Sequence, residues 1–377
     1  MARDDPLTHI QPDTKDIEKQ NLSSATSSLL PSETELVLTY ISVTLIGIII
    51  IAGTTGNILV ILAVKTSKKL QTPSNIFIVN LSVVNLVFDL GVLPFHAYTN
   101  IHHAAGISPL LCRLVALVDY ALTGTTIMTI ILIAYNRYKL VGNYHKYMDH
   151  FNQINIAAML SIAWLLPLLC LLPPLLQVWG KFGYVERLAT CNLFEDKQYF
   201  KDILLLLRTL MPSIIIIYFY IGIYQASKAR HLRLPSLKDS ITSQQRERNE
   251  KRMTKMMLTI ISLFILFYFP CTITAIIDLY YILSKPHHLF CRLCIYFGSA
   301  VNPVIYGLTN SQFSHAYKKL ISCRLKINHN IPPITVIHLS TLITKPSTQQ
   351  PQVTLLSTLP KKTDTNLSNN ELHQTLC

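Results

Sequence analysis

Seven long apolar segments follow one another along this chain, separated by short polar stretches. They lie at about residues 36–64, 74–98, 111–138, 154–176, 203–226, 253–281 and 289–308. A helix needs roughly 20 mostly apolar residues to cross a bilayer. None of the segments alternates between apolar and polar positions, as a membrane-spanning strand does. The pattern therefore predicts an all-α membrane protein, a seven-transmembrane helix bundle whose helices are called spans 1 to 7.

The composition supports this prediction and excludes other classes. Half of the residues are apolar and 14% are charged, whereas charged residues make up about 25% of a soluble protein. The net charge of +13 lies mainly in the stretches between spans, so we expect no nucleic-acid partner. The sequence contains no metalloprotease, nucleophile-elbow or phosphate-loop motif. We therefore expect no enzymatic activity, cofactor or metal.

Lys and Arg residues are concentrated after spans 1, 3, 5 and 7. Cytoplasmic loops of membrane proteins carry an excess of these residues. The pattern therefore predicts a multi-pass protein of the plasma membrane with an extracellular N-terminus and a cytoplasmic C-terminus. The basic stretches also predict contacts with anionic membrane lipids.

The regions outside the spans differ in composition. Residues 1–35 are polar and predict an extracellular tail, in which Asn21 begins an acceptor triplet for N-glycosylation. Residues 36–310 hold the bundle, and residues 311–324 form a short basic amphipathic segment. Residues 325–377 are rich in Ser, Thr, Pro, Gln and Asn, which predicts disorder. This tail is either a phosphorylatable site for a regulator or a plain solvated segment.

Short motifs occupy characteristic places in the spans. They are Gly56-Asn57-Ile58-Leu59-Val60 in span 1, Asn136-Arg137-Tyr138 at the end of span 3, Trp164 in span 4, Pro212 and Tyr220 in span 5, Phe264 and Pro270 in span 6, and Asn302-Pro303-Val304-Ile305-Tyr306 in span 7. In this order and at these spacings they resemble the motifs of rhodopsin-like (class A) G-protein-coupled receptors. The loop residues 179–184 and 191–193 resemble those of the invertebrate Moody and Trapped-in-endoderm group, near the melatonin receptors.

The resemblance implies a receptor that passes an extracellular ligand signal to a heterotrimeric G protein by outward movement of span 6. In the family, the arginine at the position of Arg137 pairs with a glutamate such as Glu250 in the inactive state. In the active state, once span 6 has moved outward, this arginine contacts the G protein. Glu250 could instead pair with Arg246 on its own helix.

Other family features concern the movement of span 6. Pro270 removes a backbone hydrogen bond and gives this helix a pivot. Tyr220 and Tyr306 resemble two tyrosines that meet near Arg137 in active receptors, although they could simply anchor helix ends at the membrane interface.

The cysteines have several implied roles. A disulfide between Cys112 and Cys191 would pin the second outer loop over the bundle, the alternative being two free thiols. The other cysteines of the spans are expected to pack as small apolar groups, and a second outer bridge stays open. The segment 311–324 resembles the family's eighth helix with a palmitoylation site at Cys323. The tail that follows is expected to bind an arrestin-type regulator.

Three positions depart from the family pattern. Asn136 replaces an aspartate, Tyr268 replaces a tryptophan, and Asn85 stands where the family has a sodium-binding aspartate. Asn136 resembles a protonated aspartate, the form associated with activation, so we expect raised basal signalling. An amide is a poor partner for a hard cation in apolar surroundings, so we expect no effect of sodium on ligand affinity. The departures leave a non-coupling or scavenging receptor of the same fold as the alternative function. The expected structural core residues are Asn57, Asn85, Trp164 and Pro212.

Charged residues inside the spans predict the ligand site, because such residues are costly in a membrane. Asp119 matches the family's amine-binding aspartate, and Tyr296 matches the tyrosine that supports it. Asp119 either contacts a cationic ligand or pairs with Arg208 or Arg292. Acids and bases together favour a peptide or zwitterion over a simple amine as the extracellular ligand. Further candidates for ligand contact are Tyr268 and Asp278.

Overall fold

The computed structural model describes residues 33–103, 105–142, 144–194, 200, 203–204, 206–233, 241–278 and 283–329. Residues up to Tyr317 belong to one compact unit, and the residues from Lys318 onward belong to a second. All seven spans and the start of the last helix belong to the first unit.

Each predicted span is helical in the described part of the chain. Span 1 is Glu33–Thr66, span 2 Pro73–His102, span 3 Pro109–Gly142, span 4 Gln153–Cys170, span 5 the turn Leu206–Leu210 with the helix Met211–Arg233, span 6 Ile241–Ile277 and span 7 Lys285–Thr309. Short helices run over Tyr144–His150 and Leu172–Leu175, 3₁₀ turns over Lys68–Leu70 and Glu186–Leu188, and the last helix over Ser311–His329. The predicted helical fold class is confirmed.

Spans 1 to 5 and span 7 are long and apolar enough to cross a membrane. The helix of span 6 begins earlier than the predicted segment at 253–281, and its apolar part is Ser262–Ile277. The first half of this helix is polar and carries several Lys and Arg residues. Span 6 therefore continues as a helix well beyond its apolar part.

Span 3 occupies the centre of the bundle. It packs against spans 2, 4, 5 and 6, while span 1 packs against spans 2 and 7. Gly124 permits the close approach of spans 3 and 4, because a Cβ there would overlap the ring of Pro167. Such close contact matters in a bilayer, since lipid is as apolar as the helix surface and association depends on packing.

Span 2 contains a π-helical turn that the hydrophobic pattern did not predict. The turn, Phe88–Val92, precedes the helical segment Leu93–His102. Pro94 lies at the start of this segment, and a proline ring has no N–H and clashes with the carbonyl four residues earlier. The wider turn accommodates the proline and changes the face that the rest of span 2 presents to the bundle. His96, in the segment that follows the turn, is buried.

A hairpin of two antiparallel strands, Lys181–Val185 and Thr190–Phe194, packs against the start of span 3. Cys191 in the second strand forms a disulfide with Cys112 of span 3, with 5.3 Å between the two Cα atoms. The predicted disulfide is confirmed. The end of the bundle at which this hairpin lies is called the hairpin end, and the opposite end, which contains Arg137, is called the Arg137 end.

The last helix begins after Asn310, whose side-chain oxygen accepts a hydrogen bond of 2.9 Å from the backbone N–H of Gln312. The helix Ser311–His329 continues past the predicted end at residue 324. Asn21, the side chain of Cys323 and residues 330–377 lie outside the part of the chain that the structure describes. The predicted glycosylation, palmitoylation and tail functions therefore stay predictions.

Candidate functional site

Asp119 of span 3 lies toward the hairpin end, beside side chains of spans 2 and 7. This group of side chains around Asp119 is called the cleft. His96 Nε2 of span 2 is 3.7 Å from Asp119 Oδ2. The other ring nitrogen of His96, Nδ1, is hydrogen-bonded to the hydroxyl of Tyr296. Asp119 and Tyr296 are thus connected through a buried histidine that the sequence analysis did not identify. The available signal was a histidine inside an apolar span.

The two arginines of the cleft make other contacts. Arg208 Cζ lies 5.3 Å from the centre of the Tyr120 ring, a cation–π arrangement. Arg292 Nη2 lies 3.4 Å from Asn100 Oδ1 in a hydrogen bond. Among the described contacts neither arginine forms an ion pair with Asp119, although both act on its charge from a greater distance. Asp119 therefore contacts His96 in the described residues, and the choice between ligand contact and pairing with an arginine stays a prediction.

The hairpin packs against Tyr120, the residue that follows Asp119 in span 3. Tyr120 donates a hydrogen bond of 2.6 Å to the side-chain oxygen of Asn192. Its ring lies 6.0 Å from the buried ring of Phe182, measured between centroids. The disulfide joins the same hairpin to span 3, so the hairpin is attached to this helix at Cys112 and again at Tyr120.

Asp278 joins the ends of spans 6 and 7 at the hairpin end. Its carboxylate lies 3.0 Å from His288 Nε2 and accepts a hydrogen bond of 2.9 Å from the backbone N–H of Leu283. The Asp278 side chain is 7% exposed. This predicted ligand-contact residue thus has a structural role in the described conformation.

An aromatic stack connects the cleft to the middle of the bundle. The rings of Tyr268 and Phe264 are stacked, with 4.5 Å between centroids and 29° between their planes. The buried Phe264 packs in a cluster with side chains of spans 3 and 5, namely Ile127, Ile130, Ala134, Ile216 and the partly buried Tyr220. Beside the stack lies a cavity of about 40 Å³ whose lining includes Asn85 and Asn302.

Polar side chains hold spans 1, 2 and 7 together next to this cavity. Asn57 Nδ2 donates to the carbonyls of Gly53 and Ser299 at 2.9 and 3.2 Å. Asn85 Nδ2 lies 3.4 Å from Asn57 Oδ1 in a hydrogen bond. Both asparagines are buried, as the sequence analysis expected of core residues. Whether sodium affects ligand affinity stays a prediction.

Asp89 is a buried acid that the sequence analysis missed. It lies one helical turn from Asn85, is fully buried, and accepts a hydrogen bond of 2.7 Å from the Ser299 hydroxyl. Its carboxylate faces Gly53 of span 1, where any side chain would overlap it. An acid inside an apolar span was the signal available in the sequence.

At the Arg137 end, Asn136 and Arg137 are 1% and 3% exposed. The Asn136 amide oxygen accepts a hydrogen bond from Ser74, and its nitrogen donates to Tyr147. The charge of Arg137 acts on the Tyr220 hydroxyl, so these two predicted coupling residues are brought near each other. The side chain of Glu250 lies outside the described residues, so its pairing with Arg137 stays a prediction.

Two further tyrosines of the predicted motifs make packing contacts at this end. Tyr138 lies beside Phe219 of span 5, with 5.6 Å between ring centroids. Tyr306 is fully buried and packs on Phe313 of the last helix at 5.5 Å. Tyr306 thus packs on the last helix, and its meeting with Tyr220, which the resemblance implies for active receptors, stays a prediction.

The remaining motif residues pack between helices. Trp164 Nε1 donates a hydrogen bond of 3.0 Å to Asn80 Oδ1, and Asn80 Nδ2 donates to Thr129 at 2.8 Å. This chain joins spans 2, 3 and 4. Pro303 of span 7 packs against Gly56 of span 1. The buried prolines at 212 and 303 lie within the first turns of span 5 and inside span 7.

The model of the family "7 transmembrane receptor (rhodopsin family)" matches residues 56–306 of the chain. The chain belongs to this family. The match runs from the Gly56-Asn57 motif of span 1 to Tyr306 of span 7, so it includes the aspartate cleft and the Arg137 end. The resemblance stated from the motifs is therefore confirmed.

Several relatives of this receptor come from animals. The G-protein coupled receptor moody of Drosophila pseudoobscura pseudoobscura is 27% identical over 85% of this chain and 56% of that protein. Protein trapped in endoderm-1 of Drosophila melanogaster is 25% identical over 81% of this chain and 83% of its own. Melatonin receptor type 1A of Mus musculus is 27% identical over 72% of this chain and 77% of its own. This receptor thus spans little more than half of the moody protein's length.

Squid rhodopsin is a solved structure with the same fold. It superimposes with a TM-score of 0.70 over 79% of this receptor and 84% of its own chain, at 21% sequence identity. This similarity supports the seven-helix, multi-pass membrane fold.

Proposed function

We propose that this receptor binds an extracellular ligand in the cleft around Asp119 and activates a heterotrimeric G protein by outward movement of span 6. The observation that carries the proposal is the continuous packing between the two ends of the bundle. Tyr268 lies within the electrostatic reach of Asp119 and Arg208. It stacks on Phe264, and the cluster around Phe264 includes Tyr220. Tyr220 in turn lies near Arg137.

The packing offers a way for a ligand to act at a distance. Pro270 lies inside span 6, two residues after Tyr268, and a proline weakens the helix at that point. A displaced Tyr268 ring would move Phe264 and release span 6 from span 3. Arg137, buried in this conformation, would then become accessible to a G protein from the cytoplasm.

The test is ligand-free activation of a panel of G-protein α subunits at matched surface expression. We expect a basal signal that Arg137→Ala abolishes and that Phe264→Ala changes. Arg113→Ala is the matched control, since Arg113 is an exposed residue at the other end of the same helix. No signal from any subunit, together with internalisation of the receptor, would favour the scavenging alternative.

We propose a peptide or zwitterion as the ligand class, with a simple amine as the alternative. Asp119 can accept a cationic group because none of its described contacts is an ion pair with an arginine. Its described ionic contact is with His96 Nε2 at 3.7 Å. Arg208 and Arg292 supply positive charge to the same cleft. A ligand with both charges can satisfy the acid and an arginine, which lowers the cost of leaving charges unpaired.

Variants of the cleft separate the two ligand classes. A library of amines, amino acids and short peptides is screened for activation of wild-type receptor. For a zwitterionic agonist, both Asp119→Asn and Arg292→Gln should reduce potency at least tenfold. For a simple amine, Asp119→Asn alone should do so. If both variants respond to the agonist with the potency of wild-type receptor, the assignment of the ligand site to the cleft is contradicted.

The proposed orientation places the N-terminus outside the plasma membrane and the hairpin end on the extracellular side. The basic residues Lys65, Lys68 and Lys139 then face the cytoplasm and anionic lipids. We also propose glycosylation at Asn21, palmitoylation at Cys323 and an arrestin-type regulator for the tail. An N-terminal epitope tag should be stained on intact cells, whereas a C-terminal tag should require permeabilised cells.

A further inference from the structure

Two free thiols from neighbouring helices meet in the half of the bundle near the hairpin end. The thiol of Cys271 in span 6 donates to the backbone carbonyl of Cys291 in span 7 at 3.0 Å. The thiol of Cys291 donates to the Thr274 hydroxyl at 3.2 Å. Thr274 lies three residues after Cys271 on the same face of span 6. The Cys291 thiol therefore lies against the face of span 6 that carries Cys271, and the two side chains interact.

The chemistry of the site is that of a thiol pair. Among the described residues no group of three His, Cys, Asp or Glu side chains is arranged to hold a metal ion. Neither thiol is in a disulfide in this structure. Cys291 is 8% exposed and Cys271 is half-buried. The Cys271 sulfur lies 3.0 Å from the carbonyl oxygen of Cys291, and the Cys291 sulfur lies 3.2 Å from Thr274 on the helix of Cys271. The two residues are therefore neighbours across the contact of spans 6 and 7, as the partners of a disulfide must be.

We propose that Cys271 and Cys291 are a redox modification site, which hydrogen peroxide converts into a disulfide between spans 6 and 7. Peroxide first oxidises one thiol to a sulfenic acid and leaves as water. The second sulfur then attacks the sulfenic sulfur, the S–S bond forms, and the hydroxyl leaves with the thiol proton as a second water. Two electrons pass from the thiol pair to the peroxide. A dithiol reductant returns the bridge to two thiols by exchange and is itself oxidised to a disulfide.

The position of the bridge has a structural consequence. Cys271 directly follows Pro270, so the bridge would fasten span 6 to span 7 next to the weakened point of the helix. The formation of the bridge goes beyond the proposed function and does not depend on it, because it is detected by chemistry alone.

The test uses the purified full-length receptor, treated with hydrogen peroxide and then denatured and labelled with a maleimide reagent of high mass. We expect two fewer maleimide additions than in untreated receptor, restored by prior treatment with a dithiol. Peptide mass spectrometry of the digested, non-reduced receptor should show Cys271 linked to Cys291. Cys271→Ser and Cys291→Ser should each abolish this loss.

Cys170→Ser is the matched control, since it removes a free thiol of span 4 and should leave the loss of two additions intact. Cys294→Ser tests the neighbouring thiol one turn further along span 7 and should also leave it intact. The inference is overturned if the loss persists in Cys271→Ser, or if the linked peptides contain Cys294. If a serine variant does not fold, the linked peptide from wild-type receptor decides the question by itself.

Discussion

The side-chain oxygen of Asn136 accepts a hydrogen bond of 2.5 Å from the hydroxyl of Ser74. The nitrogen of the same amide donates to the Tyr147 hydroxyl at 3.1 Å. The residue before Arg137 therefore joins span 3 to span 2 and to the short helix at the Arg137 end. Because the amide is neutral, it makes these bonds without supplying the carboxylate that an aspartate would offer to Arg137.

Asn136→Asp should lower basal signalling, by about tenfold if the new ion pair with Arg137 stabilises the inactive state by roughly 1.4 kcal/mol. An aspartate still accepts the hydrogen bond from Ser74 and adds a negative charge next to a buried guanidinium. The measurement is ligand-free nucleotide exchange on the responding G protein at matched surface expression.

Asn152→Asp is the control for this change. Asn152 caps the start of span 4, where its side chain accepts from the backbone of Asn155, and aspartate serves equally well as a cap. Asn152→Asp adds one negative charge at the Arg137 end, as Asn136→Asp does, and should leave basal signalling unaltered. Equal signalling by Asn136→Asp and wild type would show that raised basal activity does not come from this position.

Tyr296→Phe should lower the free energy of unfolding by about 1–3 kcal/mol, the cost of leaving a buried polar partner unsatisfied. The lost hydroxyl is the partner of the buried His96 Nδ1. The measurement is Tm of the purified receptor in one detergent. Tyr98→Phe is matched, because it removes an exposed hydroxyl whose acceptor is Ala105, and it should shift stability by less than about 0.5 kcal/mol. Similar losses in both variants would deny the cleft histidine a structural role.

Asp278 and His288 should show a measurable coupling energy in a double-mutant cycle of alanine substitutions. Their side chains are 7% and 13% exposed, so removing one partner leaves the other poorly solvated, and roughly 1–3 kcal/mol of coupling is expected. The exposed pair Glu35 and Lys285, 3.7 Å apart with 48% and 54% exposure, is the comparison and should couple by less than about 1 kcal/mol. The prediction is wrong if the two cycles give the same energy.

Gly53→Ala should destabilise the receptor by about 1–3 kcal/mol through overpacking. A Cβ at Gly53 overlaps the carboxylate of the buried Asp89, which Ser299 holds in place. Gly47→Ala, on the same helix with open space around the added carbon, should be neutral or stabilising because alanine favours the helix. Thermal unfolding of the two variants under identical conditions is the measurement, and equal Tm values would refute the close contact.

Much of this protein could be predicted from the chain alone. Seven apolar stretches without alternation had to be helices, because a backbone inside lipid satisfies its hydrogen bonds either within a helix or in a closed barrel of alternating strands. The motifs around Arg137, Pro270 and Asn302 predicted the family at their spacings. Cys112 and Cys191 were recognised as a pair through the same resemblance. Each of these features can be recognised from a single segment of the chain or from a motif of the family.

The tertiary structure decided which polar side chains meet across helices. His96, Asp119 and Tyr296 come from three spans, and their contact depends on how far each helix is rotated about its axis. The π-helical turn before Pro94 sets that rotation in span 2, and no hydrophobic pattern revealed it because the span is apolar on most sides. The same holds for Asp89 beside Ser299. The sequence determined which segments are helical and which family the chain belongs to. The packing of the helices determined which side chains contact the buried charged groups.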